Sequence, residues 1–280
     1  MGKLNPFAIS GILLSLSCLF LVIINIFLGR KKIHFLWALF NLAVGIWGFG
    51  VYKIATTLDP HTAWIWWKIN HIGVIWMPVF IFHTVTLLCN IQRKKFLLFL
   101  YFQGIFFSLF NIFSNTLFFR DVRFVFDSFY YVTLGLLYHP FFVIWLYTVI
   151  YTHFLVYLSY RNSKGLARYR YLYFLIGTLL GFLGGIANFL PGYRIDVYPY
   201  GNFTIPLYGA IITYAIIKYH LMDIRIAITR AGIFLLVYLL IMFTPFWLAS
   251  QFIHTSLWWF PILLMGILAS LAPFIYNYLR

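Results

Sequence analysis

The chain has no glutamate, and its acidic residues are five aspartates among 280 residues. Charged residues make up 9% of the sequence, whereas a soluble domain carries about 25%. Exposed helices of soluble proteins depend on glutamate for solubility and for ion pairs between residues four apart. This shortage of charge, with 64% hydrophobic residues and a mean hydropathy of +0.93, excludes an ordinary soluble globule and predicts an integral membrane protein.

Cysteines and catalytic motifs are also scarce. Cys18 and Cys89 both lie in apolar runs, so the sequence predicts neither a disulfide framework nor a cysteine metal site. The chain contains no H-E-x-x-H, no G-x-S-x-G, no Walker loop and no carboxylate-rich motif of a phosphotransferase. We therefore expect no catalytic residues, no metal and no cofactor. A membrane-embedded enzyme acting on lipid or glycan would need a constellation that the sequence lacks.

Apolar runs long enough to cross a bilayer as helices, about 17 to 25 residues each, recur along the chain. They predict an all-α polytopic membrane bundle of about nine transmembrane helices, a seven-helix core plus two. The predicted spans are residues 7–28, 34–56, 64–89, 96–114, 140–160, 171–190, 203–219, 231–252 and 257–277. The expected domains are accordingly a core at 1–226 and two additional helices at 227–280.

Basic residues gather in alternate connections between these spans. Most of the 20 lysines and arginines fall in loops 1–2, 3–4, 5–6 and 7–8, and four of the five aspartates fall in the other connections. Because basic loops stay in the cytoplasm, this bias places the N-terminus outside and the C-terminus in the cytoplasm. The net charge of +15 is then a signal of topology, with anionic lipid headgroups as partners and no nucleic acid.

The longest connection on the outer side covers residues 115–139. Its stretch Val122–Phe126 alternates apolar with charged or aromatic side chains, which indicates a strand of a short hairpin. Aromatic rings anchor well at the membrane interface, so we expect the loop's aromatic residues there. These residues are Phe118, Phe119, Phe124, Phe126, Phe129, Tyr130 and Tyr131.

Span 3 is the most polar of the long spans and holds the first candidates for a ligand site. Lys68 and His71 lie three residues apart, and ionisable groups inside a bilayer are costly enough to favour a functional role, here in an outward-facing pocket. The alternative is that Lys68 anchors at the interface and His71 is a buried, hydrogen-bonded imidazole. The other candidate ligand contacts lie in the outer connections and are Arg194, Asp196, Asp59 and Arg123. Arg194 and Asp196 could instead pair with each other.

Span 6 reads FLIGTLLGFLGGIANFL and has glycines at spacings of four and three. Small residues at this spacing let membrane helices approach closely. We therefore expect Gly177, Gly181 and Gly184 to face a neighbouring helix.

The end of span 7 reads TYAIIKYHLMDIRI and places several polar residues at the cytoplasmic headgroup level. His220 and Asp223 lie one helical turn apart, but a metal site needs more ligands, and apolar spans flank His220 on both sides. Lys218 and Arg225 are expected to hold the helix end at the lipid surface. We interpret this segment, with Tyr219, as a membrane exit and transmission elbow.

Three stretches carry a family resemblance. They read WWKINHIGVIWMPVFIF in span 3, YVTLGLLYHPFFVIWLYTVIY entering span 5, and YPYGNFTIPLYGAIITYAIIKYHLMDIRI through span 7. The positions that match in the last stretch are Pro199, Gly201, Ala215, Ile216, Tyr219, Leu221, Asp223 and Ile224. Over residues 7–226 the chain resembles the N-terminal seven-transmembrane sensor region of bacterial histidine kinases. Residues 227–280 loosely resemble two further spans that some members add.

The resemblance implies a sensor of an extracellular or membrane signal, with an unknown small ligand on the outer side. It implies a homodimer in the bacterial plasma membrane and a cytoplasmic kinase or other output domain, in cis or in trans. The sequence up to Arg280 holds no phosphoacceptor helix and no ATP-binding domain. We therefore expect a sensor part of a longer kinase, or a stand-alone protein that works through a partner, and no enzymatic activity from the chain as given.

The alternative hypothesis is a small-molecule transporter or facilitator. Helices broken at Pro78 and Pro206 could line a path for a solute. The sequence shows no inverted repeat and no carboxylate at mid-membrane, which weighs against a coupled transporter.

Overall fold

The structure, a computed structural model, describes residues 5–29 and 31–219, all within one compact unit. Seven α-helices and a β-hairpin make up this part of the chain. The helices are α1 Pro6–Leu28, α2 Lys32–Thr56, α3 Pro60–Leu88, α4 Lys94–Phe113, α5 Tyr138–Asn162, α6 Gly165–Ile186 and α7 Ile205–Tyr219. The predicted spans 231–252 and 257–277 lie outside the described residues.

The helix bounds follow the seven predicted core spans closely. Asp59 caps α3 by accepting a hydrogen bond from the backbone N–H of Thr62 (2.7 Å), and Pro60 occupies the first helical position, where its missing N–H costs nothing. In the described ranges six helices, α1 to α6, are long and apolar enough to cross a membrane, whereas α7 has 15 residues. The chain is thus a multi-pass helical membrane protein.

Close backbone contacts hold α1, α2 and α3 together. A Cβ added at Gly11 would lie 2.7 Å from the Gly48 carbonyl oxygen, and one added at Gly73 would overlap the Ala43 carbonyl oxygen. Asn70 crosses the same α2–α3 contact and donates a hydrogen bond of 2.8 Å to the Trp47 carbonyl. The absence of side chains at these glycines lets the helices approach to backbone contact, as small residues do in membrane interfaces.

The glycines of span 6 face α7 and the turn before it, as predicted. A Cβ at Gly177 would contact Ile211 at 3.2 Å, and one at Gly181 would contact Tyr208 at 3.4 Å. At Gly184 it would overlap Thr204 and the backbone of Gly201. The spacing in FLIGTLLGFLGG therefore marks the α6–α7 interface.

A β-hairpin between α4 and α5 is the exception to the expected all-α fold. Strand β1 (Phe119–Val125) pairs antiparallel with β2 (Phe129–Leu134), with Val125 opposite Phe129. The strand predicted at Val122–Phe126 is confirmed up to Val125. Phe126 and Asp127 form the turn instead, and both have a positive φ (54° and 48°).

The expected interfacial position of the hairpin aromatics is wrong for four of the seven rings. Phe118, Phe119, Phe129 and Tyr131 are buried, each at most 1% exposed. Phe129 stacks on Phe7 of α1 with ring centroids 4.6 Å apart. The hairpin folds onto the helices, so one of its faces packs against the bundle and only the other is free for the interface.

Candidate functional site

A cavity lined mainly by aromatic side chains lies between α2, α3, α5, α6, α7 and β2. Its volume is about 50 Å³, which is room for one or two water molecules or a group of similar size. Its lining residues carry no formal carboxylate, ammonium or guanidinium charge. They are Phe40, Val44, Trp47, Trp67, His71, Val74, Met77, Tyr131, Tyr138, Trp145, Thr178, Gly181, Phe182, Gly185, Asn188, Phe189, Ile205 and Tyr208.

His71 is the predicted site residue that lines this cavity. The helix places its Nδ1 3.1 Å from the Trp67 carbonyl oxygen one turn earlier, and its Nε2 lies 3.1 Å from the Tyr138 hydroxyl. A carbonyl oxygen only accepts, so Nδ1 carries the proton, and the Nε2 of a neutral ring accepts from Tyr138. Phe119 meets the imidazole edge-on at 4.6 Å. Both ring nitrogens are thus held in place, and the ring forms part of the cavity wall.

Trp67 and Tyr131 connect the hairpin to the bundle beside His71. The Trp67 indole donates to the Tyr130 carbonyl (3.0 Å), and its ring packs on Tyr131 with centroids 4.3 Å apart. The Tyr131 hydroxyl donates to the Asn188 carbonyl beyond the end of α6. Burial raises the pKa of the Tyr131 phenol well above its ordinary value, so it remains a donor at physiological pH.

Asn188 lines the cavity and has a buried side-chain oxygen without a hydrogen-bond partner. Its amide nitrogen donates to the Gly185 carbonyl (3.1 Å) and to the side-chain oxygen of Asn202, but its own side-chain oxygen is buried without a partner. Buried polar atoms in native proteins are nearly always hydrogen-bonded to protein, water or ligand. A small molecule with a hydrogen-bond donor would satisfy this oxygen.

Tyr208 brings α7 into the cavity wall. Its hydroxyl donates to the Asn41 side-chain oxygen on α2 and lies 3.7 Å from the Cys18 sulfur on α1. Its ring meets Phe40 edge-on, and its Cβ faces Gly181. The helix that leads to the predicted elbow is therefore fixed at the same cavity that His71 lines.

Lys68, the predicted companion of His71, lies outside the cavity lining. Its ammonium group donates to the carbonyls of Ile112 (3.2 Å) and Ser114 (3.0 Å), and it sits 5.3 Å from the centre of the Trp64 ring. Ser114 is the C-cap of α4, so Lys68 satisfies carbonyls that the end of that helix leaves open. This geometry matches the anchoring alternative for Lys68.

Of the other candidate ligand contacts, Arg123 and Asp196 pair with each other, whereas Arg194 and Asp59 are exposed at separate turns. Arg123 of β1 donates to both carboxylate oxygens of Asp196 and to the Pro191 carbonyl (2.9 Å), so the alternative pairing of Arg194 with Asp196 is wrong. Arg194 is exposed and adopts a left-handed conformation (φ 62°) that ends the turn Pro191–Tyr193. Asp59 is an exposed helix cap, and its hydrogen bond from the Thr62 hydroxyl lowers its pKa.

The pairing of Arg123 with Asp196 predicts a pH dependence. The Arg123 guanidinium lowers the pKa of the Asp196 carboxyl below its ordinary 3.8, so the pair stabilises the fold fully above that value. Its contribution is lost as the pH falls through the lower folded pKa. We expect Asp196→Asn to lower the Tm slightly at pH 7, and the difference from wild type to shrink as the pH is lowered below 3.8, measured by circular dichroism. Asp127→Asn, in the exposed hairpin turn, is the control, and an equal effect of both variants at pH 7 would contradict the prediction.

The elbow lies at the edge of what the structure describes. Helix α7 runs to Tyr219 and so includes Lys218, while His220, Asp223 and Arg225 lie outside the described residues.

Among residues 5–29 and 31–219 no three histidine, cysteine or acidic side chains converge to hold a metal ion. Apart from His71, the aromatic residues that line the cavity were not predicted as site residues. The high density of aromatic residues in YYVTLGLLYHPFF is the sequence signal that could have pointed to them.

Comparison with known proteins agrees with this architecture. The family model described as the N-terminal 7TM region of histidine kinase matches residues 12–225, which cover most of α1 and all of α2 to α7. No curated protein and no solved structure matches the chain. By the extent of this match, the chain belongs to the family of N-terminal seven-transmembrane sensor regions of histidine kinases.

Proposed function

We propose that the chain senses a small uncharged molecule in the aromatic cavity and relays its presence through α7 to a histidine-kinase output. The observation that carries the proposal is the shared wall of the cavity. His71 and Asn188 supply polar contacts there, and Ile205 and Tyr208 belong to the helix that leaves toward the elbow. A ligand that favours one position of Tyr208 over another shifts the equilibrium of α7 by its difference in affinity for the two states.

The chemistry of the lining supports an uncharged ligand. Burying an ion without a counter-ion costs several kcal/mol or more, and the lining residues offer no lysine, arginine or aspartate to compensate it. The ligand has only a few non-hydrogen atoms, the size that the cavity admits; its apolar part contacts the wall formed by Phe40, Val44 and Met77, and one hydrogen-bond donor satisfies the Asn188 oxygen. Such a mixture of apolar walls with few convergent polar groups is typical of ligand sites.

The remaining outer candidates act as positioning residues in this proposal. Arg123 and Asp196 hold the hairpin to the connection before α7, and Lys68 holds the end of α4. Arg194 and Asp59 lie on the exposed outer surface, where a water-soluble ligand would first meet the protein.

The topology, number of spans and assembly of the chain go beyond the family assignment. We further propose that the N-terminus lies outside a bacterial plasma membrane and that the chain has nine spans, with a sensor core at 1–226 and two further helices at 227–280. The elbow at residues 218–225 passes the motion of α7 to a cytoplasmic output domain, in cis or in trans, within a homodimer. The positive bias of alternate loops supports the orientation.

A measurement of the position of α7 tests the relay without knowledge of the ligand. Spin labels at Lys164→Cys and Lys218→Cys, in a Cys89→Ser background, report the distance between the start of α6 and the end of α7 in nanodiscs. Tyr208→Ala removes the hydrogen bond to Asn41 and the edge-on ring contact with Phe40, so we expect the mean distance to change by about 1–2 Å or more. Tyr208→Phe should give an intermediate change.

The matched control is Leu207→Ala, whose side chain on the same helix is 53% exposed. Identical distance distributions for Tyr208→Ala and wild type would contradict the relay. Uptake of glycerol by proteoliposomes above that of protein-free vesicles would instead support the transporter alternative.

A further inference from the structure

A second pocket lies at the opposite end of the bundle from the hairpin, where α2 and α6 begin and α3 ends; we call this the basic end. The pocket has a volume of about 370 Å³, within the range of small-ligand sites. It is lined by Lys31, Lys32, Ile33, Leu87, Leu88, Ala167, Arg170 and Tyr171. From this lining we infer that the pocket binds the phosphate group of an anionic phospholipid, with the acyl chains on its apolar side.

The lining combines the two kinds of group that a phospholipid requires. Lys31, Lys32 and Arg170 supply cations from two separate elements, and arginine matches the geometry of phosphate oxygens with paired N–H donors. Leu87 is 40% exposed and, with Leu88, provides an apolar wall beside the cations. A pocket that is basic on one side and apolar on the other fits an amphiphile better than a fully hydrated anion.

Hydrogen bonds order the walls of the pocket. The Tyr171 hydroxyl on α6 donates to the Leu88 carbonyl at the end of α3 (3.3 Å). The Lys31 backbone N–H donates to Nδ1 of the buried His34 one turn into α2 (3.0 Å). These bonds hold the start of α6 against α3 and order the start of α2, so the pocket is part of the folded bundle.

The charge of the surrounding surface supports an anionic ligand. In residues 5–29 and 31–219 the α1–α2, α3–α4 and α5–α6 connections and the helix ends beside them hold nine basic residues and no aspartate, since Asp59, Asp121, Asp127 and Asp196 all lie in the connections at the hairpin end. Asp223, outside the described residues, could offset one of these charges. The nine are Lys31, Lys32, Arg93, Lys94, Lys95, Arg161, Lys164, Arg168 and Arg170. Basic pockets between membrane helices at headgroup depth are established sites for anionic lipids.

The test compares two lipids and one soluble anion on the full chain. The purified protein in mixed micelles is titrated with phosphatidylglycerol, with zwitterionic phosphatidylcholine and with inorganic phosphate, and bound ligand is counted by native mass spectrometry. We expect phosphatidylglycerol to be retained over phosphatidylcholine. The triple variant Lys31→Gln, Lys32→Gln, Arg170→Gln should weaken phosphatidylglycerol binding by roughly a hundredfold, with each cation contributing about fivefold.

The control is the triple variant Lys94→Gln, Lys95→Gln, Arg161→Gln, which removes the same charge from the same end but outside the pocket. We expect it to keep wild-type affinity to within a few fold. The variant Lys31→Arg, Lys32→Arg, Arg170→Lys retains the charge and should also bind, which separates loss of the site from loss of folding.

Three outcomes would overturn the inference. Equal losses in the two Gln variants would show binding by diffuse charge. Undiminished binding in the pocket variant would place the lipid elsewhere. Inorganic phosphate that competes at equal concentration with phosphatidylglycerol would identify a site for a soluble anion instead of a lipid.

Discussion

Gly73→Ala is expected to lower the free energy of unfolding by about 3 kcal/mol or more. The added Cβ overlaps the Ala43 carbonyl oxygen and lies 3.1 Å from the Trp47 backbone nitrogen, so no change of rotamer can relieve the contact. Overpacking costs about 1–3 kcal/mol when side chains can adjust, and here two helix backbones must separate. Separation of the helices also stretches the hydrogen bond from the Asn70 side chain to the Trp47 carbonyl. A buried amide left unpaired costs about a further 1–3 kcal/mol of stability.

The measurement is the unfolding temperature of the full chain in nanodiscs, followed by circular dichroism. Gly45→Ala is the matched control on α2, because its Cβ would meet only Cys18 at an ordinary 3.5 Å. We expect that variant to unfold at or slightly above the wild-type temperature. Equal unfolding temperatures for the Gly73 and Gly45 variants would show that α2 and α3 do not approach to backbone contact.

Trp67→Ala is expected to cost about 3–5 kcal/mol, the range for truncation of a large buried aromatic residue. The side chain is 2% exposed, packs on Tyr131 and donates to the Tyr130 carbonyl. Its loss enlarges the cavity and removes one of the contacts that join the hairpin to α3. We therefore expect faster hydrogen exchange at the amides of residues 119–134 in addition to the lower stability.

Two substitutions separate the contributions of Trp67. Trp67→Phe keeps a ring against Tyr131 but loses the hydrogen bond, and should cost about 1 kcal/mol from that bond plus the smaller packing loss. Trp66→Ala, at the adjacent and partly exposed position, should leave exchange in the hairpin unchanged. If it accelerates exchange as much as Trp67→Ala does, the hairpin is held by the N-terminal part of α3 as a whole.

The helices could be predicted from the sequence because their signal is local. A run of apolar residues as long as the bilayer is thick specifies a helix regardless of its neighbours. The glycine spacing in span 6 predicted a close contact with a neighbouring helix for the same reason, since the pattern lies within one helix; that the neighbour is α7 came only from the structure. Phe126 shows where a local pattern fails: alternation extends the strand to it, but the turn requires its positive φ.

The candidate site could be predicted only in part, because it is made by tertiary packing. His71 stands out as an ionisable residue inside an apolar span, whereas Trp67 and Tyr208 look like any aromatic residue of a membrane helix. The pairing of Arg123 with Asp196 joins positions 73 residues apart, and their sequence neighbours gave no reason to prefer it over the pairing with Arg194. Aromatic residues in the outer loop suit the interface and the bundle interior equally well, so composition could not decide between them.

The attachment of the hairpin has a kinetic consequence. Tyr131 closes one side of the cavity, and Trp67 and Arg123 tie its hairpin to α3 and to the connection before α7. A molecule that enters or leaves along this side must wait until those contacts part, so its residence time depends on how often the hairpin lifts and not only on how well it fits. Under the proposed function, Arg123→Gln, which loosens the hairpin from outside the cavity lining, would shorten that residence time and leave the cavity-facing contacts of the occupied state intact.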